Sequence, residues 1–379
     1  MSSQTPDVLD EQSPRLVPPS HYSTHEHSVV KPLPFFHPTR AELYPHEGKD
    51  GLTLPSSPSF WNSRVSRKRR FTLGNVHVRH HRHMRGDLEV TDSRTAVVMQ
   101  RLRHPHSRLK PHLTWDISFW VAVVFVLGSA AWIVNGFILF LPLVNIGGDH
   151  TDAASWWAFA GGTLFELGSY LMLVESLNTG HDQLFAPALW GLLSRTSVSS
   201  EDEKESLSDK HATKFRWIGL GSPRDLGYLA CSIQMFAASI FWVSTITGIP
   251  GVIPNLATSP PTAVTDVFYW TPQVIGGCGF IVASLLLMIE VQKKWWLPNL
   301  KSLGWHVGFW NLVGAVGFAL CGALGYASLV STKVGYQSVL STFWGGWAFE
   351  IGSVIQLWET LWREDSDVVK ENADAGGEH

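Results

Sequence analysis

The chain has 379 residues, a formal net charge of −3, 45% hydrophobic and 16% charged side chains. Its three cysteines, Cys231, Cys278 and Cys321, all fall inside apolar runs, which excludes a disulfide framework and any metal-ligand spacing built on cysteine. The averages conceal a split: 17 of the 18 tryptophans lie from Trp115 to Trp362, and 12 of the 21 prolines lie before residue 114.

Residues 1–63 are rich in Pro, Ser and His with little apolar periodicity, and read as a disordered tail. The first 30 residues have no apolar core, so no secretory signal is expected. Residues 64–113 form a basic juxtamembrane region, with 13 basic and 3 acidic side chains over 64–110. Within it Arg67, Lys68, Arg69, Arg70, Arg79, Arg82 and Arg85 read as a lipid-facing cluster. Such cations gain about 1 kcal/mol each beside anionic head groups of the cytoplasmic leaflet. Nucleic acid is not an expected partner on a membrane tether. The spacings His21-x-x-x-His25 and His77-x-x-His80-His81 resemble histidine boxes of membrane di-iron enzymes, but no box follows a span. No metal and no cofactor are therefore expected.

Six stretches come near the ~20 residues that cross a ~30 Å hydrocarbon layer. They run over about 117–141, 155–177, 225–248, 268–291, 304–328 and 338–361. Trp156, Trp157, Tyr269, Trp270, Trp295, Trp296 and Trp305 mark their ends, as interfacial aromatic rings do. Lys and Arg concentrate before the first span and in the loops after the second and fourth, while the alternate loops are nearly free of them. Both termini are therefore expected in the cytoplasm, with residues 363–379 as an acidic tail. The apolar run Leu184 to Leu193 is too short to span and reads as lying on the cytoplasmic face.

The spans repeat. "GGTLFELGSYLMLVESL" (Gly161 to Leu177) matches "GGWAFEIGSVIQLWETL" (Gly345 to Leu361) at 9 of 17 positions, and "GGCGFIVASLLLMIEVQ" (Gly276 to Gln292) keeps the frame. The expected fold is an all-α membrane protein of six transmembrane helices, built from three parallel helical-hairpin repeats over 114–362. Gly161 and Gly168, Gly276, and Gly345 and Gly352 lie on stripes where helix backbones approach closely. Glu175, Glu290 and Glu359 end the three copies and read as anchoring or capping residues near the head groups.

Glu166 and Glu350 stand apart. They lie 11–12 residues inside their spans, roughly 17 Å at ~1.5 Å per residue, near the bilayer midplane. The third copy has Ile281 there, so the fold does not require the carboxylate. A charge at that depth costs at least ~2.5–3.5 kcal/mol, so both should face the bundle interior. They are candidate titrating groups, with Ser169, Ser353, His306 and Asn311 as candidate polar neighbours. Neutral carboxyls that merely fix helix register are the competing reading.

"TPQVIGGCGFI", "KKWWLPNLKSLGWHVGFWNLVGAVGFALCGALG" and "FWGGWAFEIGSVIQLWETL" resemble fungal multi-span integral membrane proteins of unassigned function. The hairpin frame, with F-x-x-G-S at mid-helix, is also similar to small YrhK-like membrane proteins. Neither resemblance implies a substrate or a catalytic residue. Three hairpins also suggest mitochondrial carriers, but Pro142 and Pro250 are not followed by the acidic–basic carrier motif.

No catalytic constellation occurs within the spans, so the chain is expected not to be an enzyme. It reads as a membrane protein that handles a proton, cation or small solute through a polar interior. The alternative is an anchor or adaptor whose basic tail binds anionic lipid or protein. A homo-oligomer is compatible with either.

Overall fold

The structure, a computed structural model, describes residues 22–23, 29–45, 59–68, 116–179, 185, 188–189, 215–256 and 258–361. Six long helices follow one another: α2 (Ile117–Leu143), α3 (Thr151–Leu177), α4 (Leu226–Thr247), α5 (Thr271–Glu290), α6 (Leu303–Gly325) and α7 (Thr332–Leu361). Acidic caps set two of the starts. Asp116 Oδ1 accepts from Ser118 N at 3.0 Å, and Asp225 Oδ1 accepts from Gly227 N at 2.8 Å and Tyr228 N at 3.1 Å. These bonds satisfy N–H groups that a helix start leaves without intrahelical partners. A π-helical turn, Asp266–Trp270, leads into α5.

Five of these segments, counting Thr262–Glu290 as one, are long and apolar enough to cross a membrane. The sixth, α7, is 30 residues long but less apolar, since it carries Lys333, Glu350 and Glu359. Each long helix packs on the next, and α7 returns to α2, so the six close into a ring in chain order. We call the end where α2, α4 and α6 begin the proximal end, and the other the distal end. Leu127, Leu167, Phe236, Ile275, Leu285 and Trp358 stay exposed on the outside of the ring. In water that band would be a strong aggregation liability; in lipid it is the solvent-facing surface.

The helices approach closely where the sequence has small residues. An added Cβ would come within 2.7 Å of the Trp132 ring at Gly161, 3.0 Å of Phe125 at Gly168, and 2.6 Å of Phe241 at Gly276. At Gly345 it would meet Phe318 at 3.0 Å, and at Gly352 the Asn311 Oδ1 at 2.8 Å. The three template phenylalanines, Phe165, Phe280 and Phe349, converge inside the ring with Phe125, Trp132, Phe241 and Phe318.

Parts of the region read as a disordered tail carry defined structure. Strand β3 (Arg40–Pro45) pairs antiparallel with β1 (Tyr22–Ser23), β2 (Val29–Val30) and β4 (Ser59–Asn62), with Arg40 opposite Asn62. Strand β4 runs directly into a one-turn helix, α1 (Ser63–Arg67), capped by Asn62 Oδ1 on Arg64 N at 3.0 Å. This unit sits on the proximal end. His37 N donates to Arg224 O at 2.9 Å, and Arg40 Nη2 to Val291 O at 2.6 Å.

Candidate functional site: a charged plug over a sealed interior

Arg64, Arg67 and Lys68 are spaced i, i+3 and i+4, which places all three on one side of a helical turn. That side enters the ring. Arg67 makes a two-pronged bond to Glu290, Nη1 to Oε1 at 2.8 Å and Nη2 to Oε2 at 2.9 Å. Arg64 Nη2 and Lys68 Nζ meet Glu359 Oε2 at 3.0 and 3.1 Å. Ser63 Oγ adds a bond to Glu290 Oε1 at 2.9 Å. The remaining template glutamate, Glu175, accepts from Ser118 Oγ. Glu175, Glu290 and Glu359 are 3%, 0% and 7% exposed, and Arg64, Arg67 and Lys68 are 4%, 6% and 3%.

Two expectations are corrected here. Arg67 and Lys68 do not face lipid, because buried carboxylates offer them stronger and drier partners than head groups do. Glu175, Glu290 and Glu359 are not surface anchors, since each points to the proximal interior and holds a partner there. Arg69, Arg70, Arg79, Arg82 and Arg85 lie outside the described residues.

The groups that bond the three glutamates meet a common position on the first helix of each hairpin, two residues after the N-cap. It is Ser118 in α2, Gly227 in α4 and Gly304 in α6. Serine reaches Glu175 directly. Glycine leaves a socket instead: a Cβ on Gly227 would fall 1.7 Å from Arg67 Nη1, and one on Gly304 would fall 2.5 Å from Arg64 Nε. The bundle thus supplies room for two guanidinium groups, and α1 supplies the groups.

Burial alone would disfavour the charged guanidinium of Arg64 and of Arg67. The carboxylates of Glu359 and Glu290 outweigh it and hold both arginines above the ordinary arginine range.

Beneath the plug is a cavity of about 30 Å³, bounded by Arg67, Phe125, Phe165, Asn311, Phe349 and Gln356. A second cavity, of about 100 Å³, lies in the distal half among Trp132, Asn135, Phe241, Gln273 and Thr342. Phe318 separates them. Its ring centroid is 4.8 Å from Trp132 and 5.5 Å from Phe241 on the distal side, and 6.4 Å from Phe165 and 5.1 Å from Phe349 on the proximal side. Phe318 is fully buried within this aromatic layer.

Glu166 and Glu350 line neither cavity. Phe165 and Phe349, the preceding residues, take the interior, and one step of ~100° turns each carboxyl to the flank of its helix, half-buried. Glu166 accepts from Ser239 Oγ at 2.9 Å across the α3–α4 seam, where Trp242 Nε1 also donates to Thr163 Oγ1 at 3.0 Å. One oxygen of each carboxyl, Oε2, is buried without a hydrogen-bond partner. Ser353 lies 3.3 Å from Ser129 Oγ, the Ser169 hydroxyl is buried and unpartnered, and His306 contacts the Leu300 carbonyl at 2.8 Å. Of the four expected neighbours, Asn311 borders the proximal cavity, and Ser169, Ser353 and His306 line neither of these two.

Among the described residues no group of three or more His, Cys, Asp or Glu could hold a metal ion. The chain matches no family model, no curated protein and no solved structure.

Proposed function

We propose that this is an integral membrane protein of six spans, with both termini cytoplasmic, that handles a small solute through the interior of its helix ring. In this structure the interior is closed twice, by the Phe318 layer and by the α1 plug. The observation that carries the reading is the pair of interior cavities stacked on either face of Phe318, the proximal one roofed by Arg64, Arg67 and Lys68. A bundle that only anchored a tail would not need a buried charged cluster set over an interior cavity.

Three parallel hairpins account for the common placement of the three glutamates, and α7 is the sixth span because its charged ends lie at or near the ring's rims. We infer from the same hairpin frame a likeness to fungal multi-span and YrhK-like membrane proteins. Arg69, Arg70, Arg79, Arg82 and Arg85 follow the plug in sequence and are proposed to meet anionic head groups beside the mouth.

The test is solute entry into proteoliposomes holding the full chain, wild type against Glu290→Gln/Phe318→Ala/Glu359→Gln, which opens both closures. Neutralising the carboxylates strands the arginines and Lys68, which can return to water because they sit on a short surface helix. Uptake of water, small neutral solutes or potassium should rise severalfold in the variant. Uptake equal to protein-free liposomes for both proteins would overturn the reading and favour the anchor. Loss of a proton or cation flux on Glu166→Gln/Glu350→Gln would assign that flux to the seams instead.

A further inference from the structure

Ser63 opens α1, and its hydroxyl is part of the plug: Oγ donates to Glu290 Oε1 at 2.9 Å. The same carboxylate takes both prongs of Arg67 and is fully buried. A space of about 10 Å³, room for a single water, is bordered by Ser63, Arg67, Asp225, Tyr228 and Glu290. A phosphoryl group on Ser63 Oγ meets two limits there. It adds four heavy atoms where one water fits, and about 1.5–2 negative charges beside a carboxylate. It also removes the proton that Ser63 gives to Glu290. If the phosphate draws Arg67 away, Glu290 is left buried and unpaired; if Arg67 stays, phosphate and carboxylate repel each other. Both arrangements weaken the Arg67–Glu290 pair, the tightest hold that α1 has on the ring.

The flank of Ser63 suits such a modification, and the fold controls when it can be read. Arg64, Arg67, Lys68, Arg69 and Arg70 follow within seven positions. A basic-directed protein kinase recognises a flank of this kind through acidic side chains of its own. With α1 docked, Arg64, Arg67 and Lys68 are at most 6% exposed, and their charges are spent on Glu290 and Glu359. Release of α1 returns them to water. Among the described residues, β4, which leads into α1, pairs with β3 alone. Peeling β4 away therefore leaves the pairs of β3 with β1 and β2 intact.

We propose that Ser63 is a phosphorylation site of the released plug, and that its phosphate keeps α1 from returning to the ring. The step transfers the γ-phosphoryl group of ATP to Ser63 Oγ. The bond from Pγ to the bridging oxygen breaks and releases ADP, the Oγ–Pγ bond forms, and the hydroxyl proton passes to the catalytic carboxylate of the kinase. The modification acts on the minor, undocked state and shifts the population toward it. Its purpose, to hold the proximal mouth open, rests on the solute-handling reading, but the switch itself requires no flux.

The experiment treats the detergent-solubilised full chain with magnesium ATP and the catalytic domain of a basic-directed serine kinase. The chain carries Ser66→Ala, so that Ser63 is the one serine of α1 left to react. Mass spectrometry counts phosphate at Ser63, and hydrogen exchange reads the docking of α1. Phosphate should appear at Ser63 severalfold faster when Glu290→Gln/Glu359→Gln is added to release α1. With both glutamates intact, phosphorylation should speed exchange at α1 about tenfold, and a phosphatase should reverse it. Ser63→Ala removes one hydrogen bond and leaves the ion pairs, so α1 should stay docked, whereas Ser63→Glu should free it. Equal phosphorylation rates with and without the glutamine changes would overturn the assignment. So would no phosphate at Ser63 in a variant whose α1 exchanges freely, unchanged exchange after full phosphorylation, or like behaviour of Ser63→Ala and Ser63→Glu. Release of α1 by the phosphate in a Phe318→Ala chain that still admits no solute would sustain the switch while overturning the solute-handling reading.

Discussion

Arg67 carries the tightest contact of the plug. Its two bonds to Glu290 bury both charges, so neither can be removed alone without stranding the other. Breaking such a pair costs about 3–5 kcal/mol, whereas replacing both partners by apolar side chains is often near neutral. Arg67→Met should therefore lower stability to denaturant by about that amount, and Arg67→Met/Glu290→Met should recover most of it. Additive losses in the double variant would mean that the two residues do not act as a pair. The sign of the pH dependence follows from the raised arginines. A cation whose folded pKa lies above its unfolded value contributes stability that is complete below the unfolded value. That stability is lost only as pH rises through the folded value. For Arg64 and Arg67 that window lies above the ordinary arginine range, so hydrogen exchange at α1 should show no release of the plug between about pH 7 and pH 10. Release in that range would show that the arginines are not held as the geometry requires.

At the scale of elements, the layer around Phe318 decides whether the ring is a path or a solid. Phe318 comes from α6 and touches rings from α2, α3, α4 and α7, so it ties five helices together. Phe318→Ala should cost about 3–5 kcal/mol, as large-to-small core changes do, and should join the two cavities. A lower thermal transition is expected for Phe318→Ala itself, and adding it to Glu290→Gln/Glu359→Gln should speed solute leak in proteoliposomes beyond that of the double variant; no difference in leak would place the barrier elsewhere. The helices themselves were legible in the sequence. The expected segment 155–177 ends where α3 ends, at Leu177, and the small-residue stripes lie where rings and backbones press against each other. The orientation of Glu166 and Glu350 was not legible. Depth along a span can be counted from sequence, but which of two adjacent residues turns inward depends on neighbouring helices, and the larger apolar volume of Phe165 and Phe349 fills the centre.

For the whole molecule, the least legible feature was the junction between the N-terminal unit and the bundle. Arg67 and Glu290 are 223 positions apart, and Arg64 and Glu359 are 295 apart, so no local pattern joins them. Two signals were present: cations at i, i+3 and i+4 on one turn, and the same glutamate ending three copies of one frame. Read separately, each resembles a membrane-surface feature; only the fold brings them into one buried cluster. The proposed function requires α1 to close the proximal mouth of the helix ring, and that closure is reported by Cys231. It is a free, fully buried thiol one helical turn beyond Gly227, the socket of Arg67. In proteoliposomes of known orientation, with Cys278→Ser and Cys321→Ser as background, a small charged thiol reagent is applied to each face in turn. Cys231 should stay unlabelled in the otherwise unaltered chain. In Glu290→Gln/Glu359→Gln it should be labelled quickly, and only from the face that carries the termini. Rapid labelling without the glutamine changes, or labelling of the variant from the opposite face, would contradict the account.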